Sequence, residues 1–303
     1  MNPILALIIT NLIWGAASPI FKFALQNIPP FTLAFIRFFS AGLIFIPFVF
    51  IYRQKVSWLD QIKILWIGFF GVTINIAFFF MGLKQTESIN VPIIASSGPV
   101  FIYLFSILLL REKPKLKVLG GMMIALIGVL TIILSPFLLD GKKFIFGEIK
   151  GNLFILIATF GTVMQTIISK DILKKINPYV VTTISFLFGG LTFLPLAIKE
   201  FNTWSFSQLN YQGWIGIVFG VVFSSALAYF FYYYGISKLA AQEVGLFTYI
   251  DPVIAVLIAA PLLGEFPSWY YLIGTFLVFG GIYLAEGRIH WHPWHRLRRS
   301  RNN

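Results

Sequence analysis

The chain reads as an all-α polytopic membrane protein, with ten transmembrane helices arranged as two inverted five-helix repeats. Three observations carry that reading. The 303 residues are 58% hydrophobic and only 11% charged, with a mean hydropathy of +0.85, outside the range of a water-soluble globular domain. Apolar runs of about 20 residues, the length that crosses a hydrocarbon core of roughly 30 Å, recur along the whole chain. Finally, the second half repeats the first.

The runs fall at 4–25, 31–52, 61–83, 91–110, 118–139, 151–169, 178–198, 213–236, 244–263 and 268–287. Helices satisfy their own backbone in lipid, whereas barrel strands would show segments of about ten residues with alternating polarity, a pattern absent here. The first run begins by residue 4 without a basic leader or a small-residue cleavage site, so it is expected to stay in the protein. With no cysteine, disulfides and thiolate metal sites are excluded.

A shift of 148 places lays Lys22 on Lys170, Pro30 on Pro178, Phe38 on Phe186, Gly42 on Gly190 and Pro47 on Pro195. A shift of 153 lays Gly82 on Gly235, Pro99 on Pro252, Glu112 on Glu265, Pro114 on Pro267 and Gly128 on Gly281. Generic apolar helices would match through Leu and Ile; most of these matches are Pro, Gly and charged residues. The expected organisation is a first repeat at 1–139, a linker at 140–149, a second repeat at 150–287 and a basic tail at 288–303. Five spans per repeat is an odd number, so the second copy lies upside down relative to the first. That arrangement implies alternating access by a secondary transporter.

The net charge of +12 is a matter of orientation. With the N-terminus inside, sixteen of the 23 Lys and Arg fall on the inner side, six on the outer side, and Arg37 within a span. Both termini are therefore expected in the cytoplasm. The basic surface faces anionic lipid, and nucleic acid is not an expected partner. His290, His292 and His295 straddle Pro293 with no acid nearby, so no metal or other cofactor is expected; Trp291, Trp294 and the tail arginines suit the membrane interface.

Trp14, Gly15 and Lys22, then Arg37 and Phe38, resemble the opening of EamA-type members of the drug/metabolite transporter superfamily. A second signature occurs twice, as Pro99, Val100, Leu110, Glu112, Pro114 and as Pro252, Val253, Leu263, Glu265, Pro267. Each copy precedes a glycine-bearing helix. The resemblance covers the chain to about residue 287 and implies a ten-helix inner-membrane carrier, typically exporting amino acids or other small metabolites. Arg111 stands where the family usually has Gly, as Gly264 does in the second copy, and Asp251 precedes the second proline.

The candidate site is read from polar faces. Asn11, Trp14, Ser18 and Lys22 lie at helical angles of about 0, 300, 340 and 20 degrees, a narrow stripe on the first helix. The shift of 148 carries them onto Thr159, Thr162, Thr166 and Lys170. Asn75, Ser96, Ser97, Gln165, Ser225, Tyr229, Tyr232 and Thr248 complete the set expected to meet a small-molecule substrate. The bland reading, in which Ser and Thr only join helices, stands beside it. Asp251, an acid well inside a span, either titrates during transport and couples it to protons or makes a structural hydrogen bond. Arg37 is its candidate partner, with about 11 Å between the backbones by helical rise. Lys22, Arg37, Lys170, Glu112 and Glu265 are expected to hold the scaffold, and Pro99 and Pro252 to kink or pack their helices.

Neither a Walker motif nor a hydrolase or zinc-protease motif is present, so direct ATP coupling and enzymatic activity are not expected. The alternatives to a carrier are a solute channel or a membrane scaffold. Monomer and homodimer both fit.

Overall fold

The computed structural model describes residues 2–98, 100–102, 104–105, 116–133, 146–239, 244 and 247–286, and among these it is helical with no strand. In chain order the helices are α1 (Pro3–Ala24), α2 (Pro30–Tyr52), α3 (Trp58–Leu83), α4 (Asn90–Ala95) and α5 (Leu116–Ile133). They continue with α6 (Phe146–Ile172), α7 (Pro178–Glu200), α8 (Tyr211–Lys238), α9 (Ile250–Leu263) and α10 (Trp269–Glu286). Among the described residues, six of these (α1, α2, α3, α6, α7 and α8) are long and apolar enough to cross a bilayer; α4 and α9 are shorter apolar segments. The protein is a multi-pass membrane protein.

Local chemistry sets the helix starts. Asn2 accepts a hydrogen bond from the Ile4 N–H at 2.9 Å ahead of Pro3, and Asn177 accepts from the Tyr179 N–H at 3.0 Å ahead of Pro178. In both cases a capping side chain precedes a proline whose missing N–H costs nothing at the first helical position. Ser57 and Asn210 cap α3 and α8 with their side-chain oxygens, there without a following proline. Within the spans, hydroxyls turn back onto their own helix: Thr10 donates to the Ala6 carbonyl, Thr159 to Ile155 and Ser185 to Val181. These three short polar side chains thus enter lipid depth with their donors paired. Phe50, Trp66, Trp214 and Phe276 point outward, a face that suits hydrocarbon and would be a liability in water.

The most extensive helix pairings are α2 with α7 and α5 with α10. Glycines permit both. A Cβ on Gly42 would lie 2.8 Å from Leu187 Cδ2, and one on Gly190 would lie 2.8 Å from the Phe39 backbone nitrogen. On α5, a Cβ on Gly128 would meet the Gly274 carbonyl oxygen at 2.6 Å. Such approach gains van der Waals contact where no hydrophobic force acts between helices. α1 packs against α8 and α9, and α6 against α3 and α4.

Two helices are not α-helical throughout. Phe69–Ile74 in α3 and Phe219–Leu227 in α8 are π-helical, bounded by regular turns on both sides. A wider turn loosens the backbone ladder and is often found at functional sites.

Gly190→Ala should lower stability by about 1–3 kcal/mol because a backbone atom, unlike a side-chain tip, cannot move aside. Gly42→Ala, which meets the mobile end of Leu187, should cost less. Melting of the two variants in detergent gives the order, and equal melting temperatures would contradict this account of the α2–α7 contact.

Candidate functional site: a polar chamber between the helices

Residues of both halves of the chain line one chamber of about 180 Å³, partly open to solvent. α1, α2, α3 and α4 supply part of its wall, and α6, α8 and the start of α9 supply the rest. Trp14 and Ser18 face it from α1, and Asn75 from α3, directly after the π segment. Thr162, Gln165 and Thr166 face it from α6 and Tyr229 and Tyr232 from α8, with Thr248 and Asp251 at the α9 end.

The chamber's polar groups are largely bonded to one another. Asn75 Nδ2 donates to Thr162 Oγ1 at 2.7 Å and to the Ala158 carbonyl at 2.8 Å. Gln165 Nε2 donates to the Tyr233 hydroxyl at 2.7 Å, and Thr166 shares a 2.8 Å hydrogen bond with the Tyr232 hydroxyl. The Trp14 ring meets Tyr229 edge-on at 5.1 Å and Tyr232 at 4.8 Å. These bonds hold the aromatic wall in fixed positions.

The π segments supply acceptors. Within α8's segment the Ser224 carbonyl accepts from Trp14 Nε1 at 3.2 Å and from Arg37 Nη2 at 3.4 Å. Within α3's segment the Gly71 carbonyl accepts from the Tyr229 hydroxyl at 3.4 Å. Carbonyls of the two widened turns thus accept from side chains of neighbouring helices.

Arg37, only 3% exposed, is held by α8. Its Nε donates to Ser225 Oγ at 2.7 Å and its Nη2 to Ser224 Oγ at 2.8 Å. The guanidinium carbon lies 4.6 Å from the Phe21 ring centre and 4.5 Å from that of Phe38. The expected Arg37–Asp251 pairing is not formed. Asp251 instead sits in the first turn of α9, where helix-start N–H groups favour a carboxylate. Its Oδ1 is shielded from solvent and, like Ser18 Oγ, has no hydrogen-bond partner.

Not every residue of the predicted stripe lines the space. Asn11 is buried and donates to the Leu7 carbonyl at 2.7 Å, while Ser96 and Ser97 bond to the Pro92 and Ile94 carbonyls. Ser225 is occupied by Arg37. Lys170 lies in the last turn of α6 and Pro252 is buried in the first turn of α9. Pro99 and Glu112 lie outside the described residues. Phe21, Phe79 and Ser224 line the chamber and were not in the predicted set. Helical spacing holds the missing signal: Phe21 follows Ser18 by three residues and Phe79 follows Asn75 by four.

At one end of the bundle Lys22 and Glu265 form a 2.7 Å ion pair, 28% and 10% exposed. Lys22 also donates to the Thr86 carbonyl at 2.6 Å. Glu265 accepts from the Ser88 N–H at 2.7 Å, the Ser88 hydroxyl at 2.5 Å and the Ile89 N–H at 3.3 Å. One carboxylate therefore ties the ends of α1 and α9 to the start of α4.

A model of the EamA-like transporter family matches this chain twice, over residues 1–134 and 149–286. The chain belongs to that family. It is 28% identical to the uncharacterized transporter YetK of Bacillus subtilis over 275 residues, covering 89% of this chain and 82% of YetK. An uncharacterized transporter of Archaeoglobus fulgidus is 28% identical over 288 residues, covering 94% and 99%. A WAT1-related chloroplastic protein of Arabidopsis thaliana is 24% identical over 284 residues, covering 90% and 66%. A solved crystal structure superposes with a TM-score of 0.66 at 18% identity, covering 93% of this chain and 96% of the other. At that identity the likeness is one of fold. The family and its relatives make this protein a membrane transporter.

Removing the charge of Glu265 as Glu265→Gln should lower stability by about 1–3 kcal/mol, the scale of hydrogen bonds to a charged group. Lys22→Met should add little once Glu265 is changed. A double-mutant cycle in thermal melts measures the coupling, and additive losses would show that the two side chains do not act together.

Proposed function

We propose that the protein is a secondary transporter that exports small metabolites, amino acids or related solutes, across the inner membrane by alternating access. The observation that carries this reading is the chamber itself: a polar, aromatic-lined space walled by both halves of the chain.

The repeat explains why the chamber lies where it does. α2 pairs with α7 and α5 with α10; α1 packs on α8 and α9 as α6 packs on α3 and α4. Every one of these contacts maps onto itself or its counterpart when the first five helices exchange with the last five. Gly42 against Leu187 and Gly190 against Phe39 exchange under the same shift of 148. The π segments in α3 and α8 and the twofold match to the family model support the same organisation. With five spans to a repeat the copies are inverted, both termini are cytoplasmic, and rocking of one repeat against the other exposes the chamber to each side in turn.

The ion pair of Lys22 with Glu265 closes one end. The shifts of 148 and 153 carry these residues onto Lys170 and Glu112, so the sequence supplies the same pair for the opposite end. Asp251, unbonded at Oδ1 and facing the chamber, is the coupling group: a proton taken up there from one side is released to the other as cargo crosses.

Counterflow in proteoliposomes tests the function. A carrier preloaded with unlabelled solute accumulates labelled solute transiently; a channel shows no such acceleration, and a scaffold moves nothing. Absence of counterflow across a panel of amino acids, nucleosides and aromatic cations would overturn the reading. Asp251→Asn should abolish flux driven by a pH gradient while leaving solute binding intact, and unchanged proton coupling in that variant would remove Asp251 from the mechanism.

A further inference from the structure

Arg37 lines the chamber without a described carboxylate beside it. It lies seven residues beyond Pro30, about 10 Å into α2 by helical rise, too deep for its head to reach the interface. Among the described residues its polar partners are two serine hydroxyls and one carbonyl, all neutral, and two ring faces complete its surroundings. No carboxylate of a described residue stands within 4.0 Å of it. Glu200 is spent capping the first turn of α2, where it accepts from Phe31 N–H, Thr32 N–H and the Thr32 hydroxyl. Glu265 is held by Lys22. Hydroxyls and ring faces orient a guanidinium without neutralising it, and a cation left unpaired away from water is costly.

The orientation is specific. The Nε and Nη2 edge is turned into the α8 π segment, and the arginine stem packs on Gly220, where a Cβ would lie 3.3 Å from Arg37 Cδ and Cγ. Nη1 makes no hydrogen bond with any described residue, while the side chain lines the chamber. A guanidinium has five N–H donors, and the two on Nη1 are left without a described partner in a side chain that lines the chamber. Ile76, Phe79, Val91 and Val163 give the same space an apolar wall.

We propose that Arg37 reads the cargo: the solute is a small monocarboxylate with an apolar body, its carboxylate bound by the Nη1 donors and its body against the apolar wall. Charge-assisted hydrogen bonds of this kind are roughly twice as strong as neutral ones, and an amide in place of the acid leaves the guanidinium without its counter-charge. The inference rests on the transport reading above and gives it a substrate class.

The test compares acids with their own amides on the purified full-length protein in detergent. The pairs are 4-methylpentanoate with 4-methylpentanamide, leucine with leucinamide, and phenylalanine with phenylalaninamide. In at least one pair the acid should raise the melting temperature saturably, with apparent affinity at least about tenfold above that of the amide, the size of one charge-assisted contact. Arg37→Gln, which keeps a donor for the serines and loses the charge, should erase that preference; Arg37→Lys should weaken it. A purely structural arginine would lower binding of acid and amide alike. Acids and amides indistinguishable across the panel, including no binding by either, would overturn the assignment on the wild-type protein alone, whether or not the variants fold. So would a monodisperse Arg37→Gln protein that still prefers the acid. Exchange of an amide or a cation in the counterflow assay would sink the Arg37 assignment and leave transport standing; an acid bound through Arg37 but never exchanged would do the reverse.

Discussion

A side-chain donor at lipid depth has no water to turn to, and this chain's chamber is assembled around two stretches of widened backbone whose carbonyls accept such donors. In α3 and α8 the backbone widens into π-helix over Phe69–Ile74 and Phe219–Leu227. Gly71 and Ser224 offer their oxygens there, and Tyr229, Trp14 and Arg37 come from other helices to take them. The widened turns therefore act as sockets. Trp14, once fixed, meets both Tyr229 and Tyr232 by ring contact, and Tyr232 in turn holds Thr166 of α6. Without the two π segments the aromatic wall would have to satisfy its polar tips elsewhere, and the chamber would lose its shape.

Of the ten expected spans, the six that stand as long apolar helices among the described residues were legible because they follow from length and hydropathy alone, and bilayer thickness leaves little freedom in either. The polar stripe on α1 was legible in part. Trp14 and Ser18 face the chamber, but Asn11, on nearly the same bearing, turns its amide onto Leu7. Angle decides which way a Cα–Cβ bond points; it does not decide whether a short side chain bonds to its own helix first. Ser96 and Ser97 differ from expectation for the same reason. The Arg37–Asp251 pairing rested on depth, and depth says nothing about which helices are neighbours. α8, and not α9, supplies Arg37's partners, because Gly220 lets the arginine stem lie close against the π segment where Ser224 and Ser225 stand. The π segments themselves leave no trace in a pattern of apolar residues, since a single widened turn barely changes periodicity across a span.

The closed end of the bundle sets an energy scale for any motion. Glu265 holds four donors from two separate segments, through Lys22, both donors of Ser88 and the Ile89 N–H. A hydrogen bond to a charged group contributes about 1.5–3 kcal/mol. Losing even two or three of them approaches the roughly 5.5 kcal/mol that converts a 1:99 population into 99:1. A cluster of this size can therefore hold one conformation against another by itself, and a rearrangement that breaks it must form bonds of similar worth elsewhere. On the transport reading proposed above, the compensating bonds would come from Lys170 and Glu112, which the sequence repeat aligns with Lys22 and Glu265, and the closer two such clamps lie in worth, the smaller the free energy of a bound solute or a proton that chooses between the states.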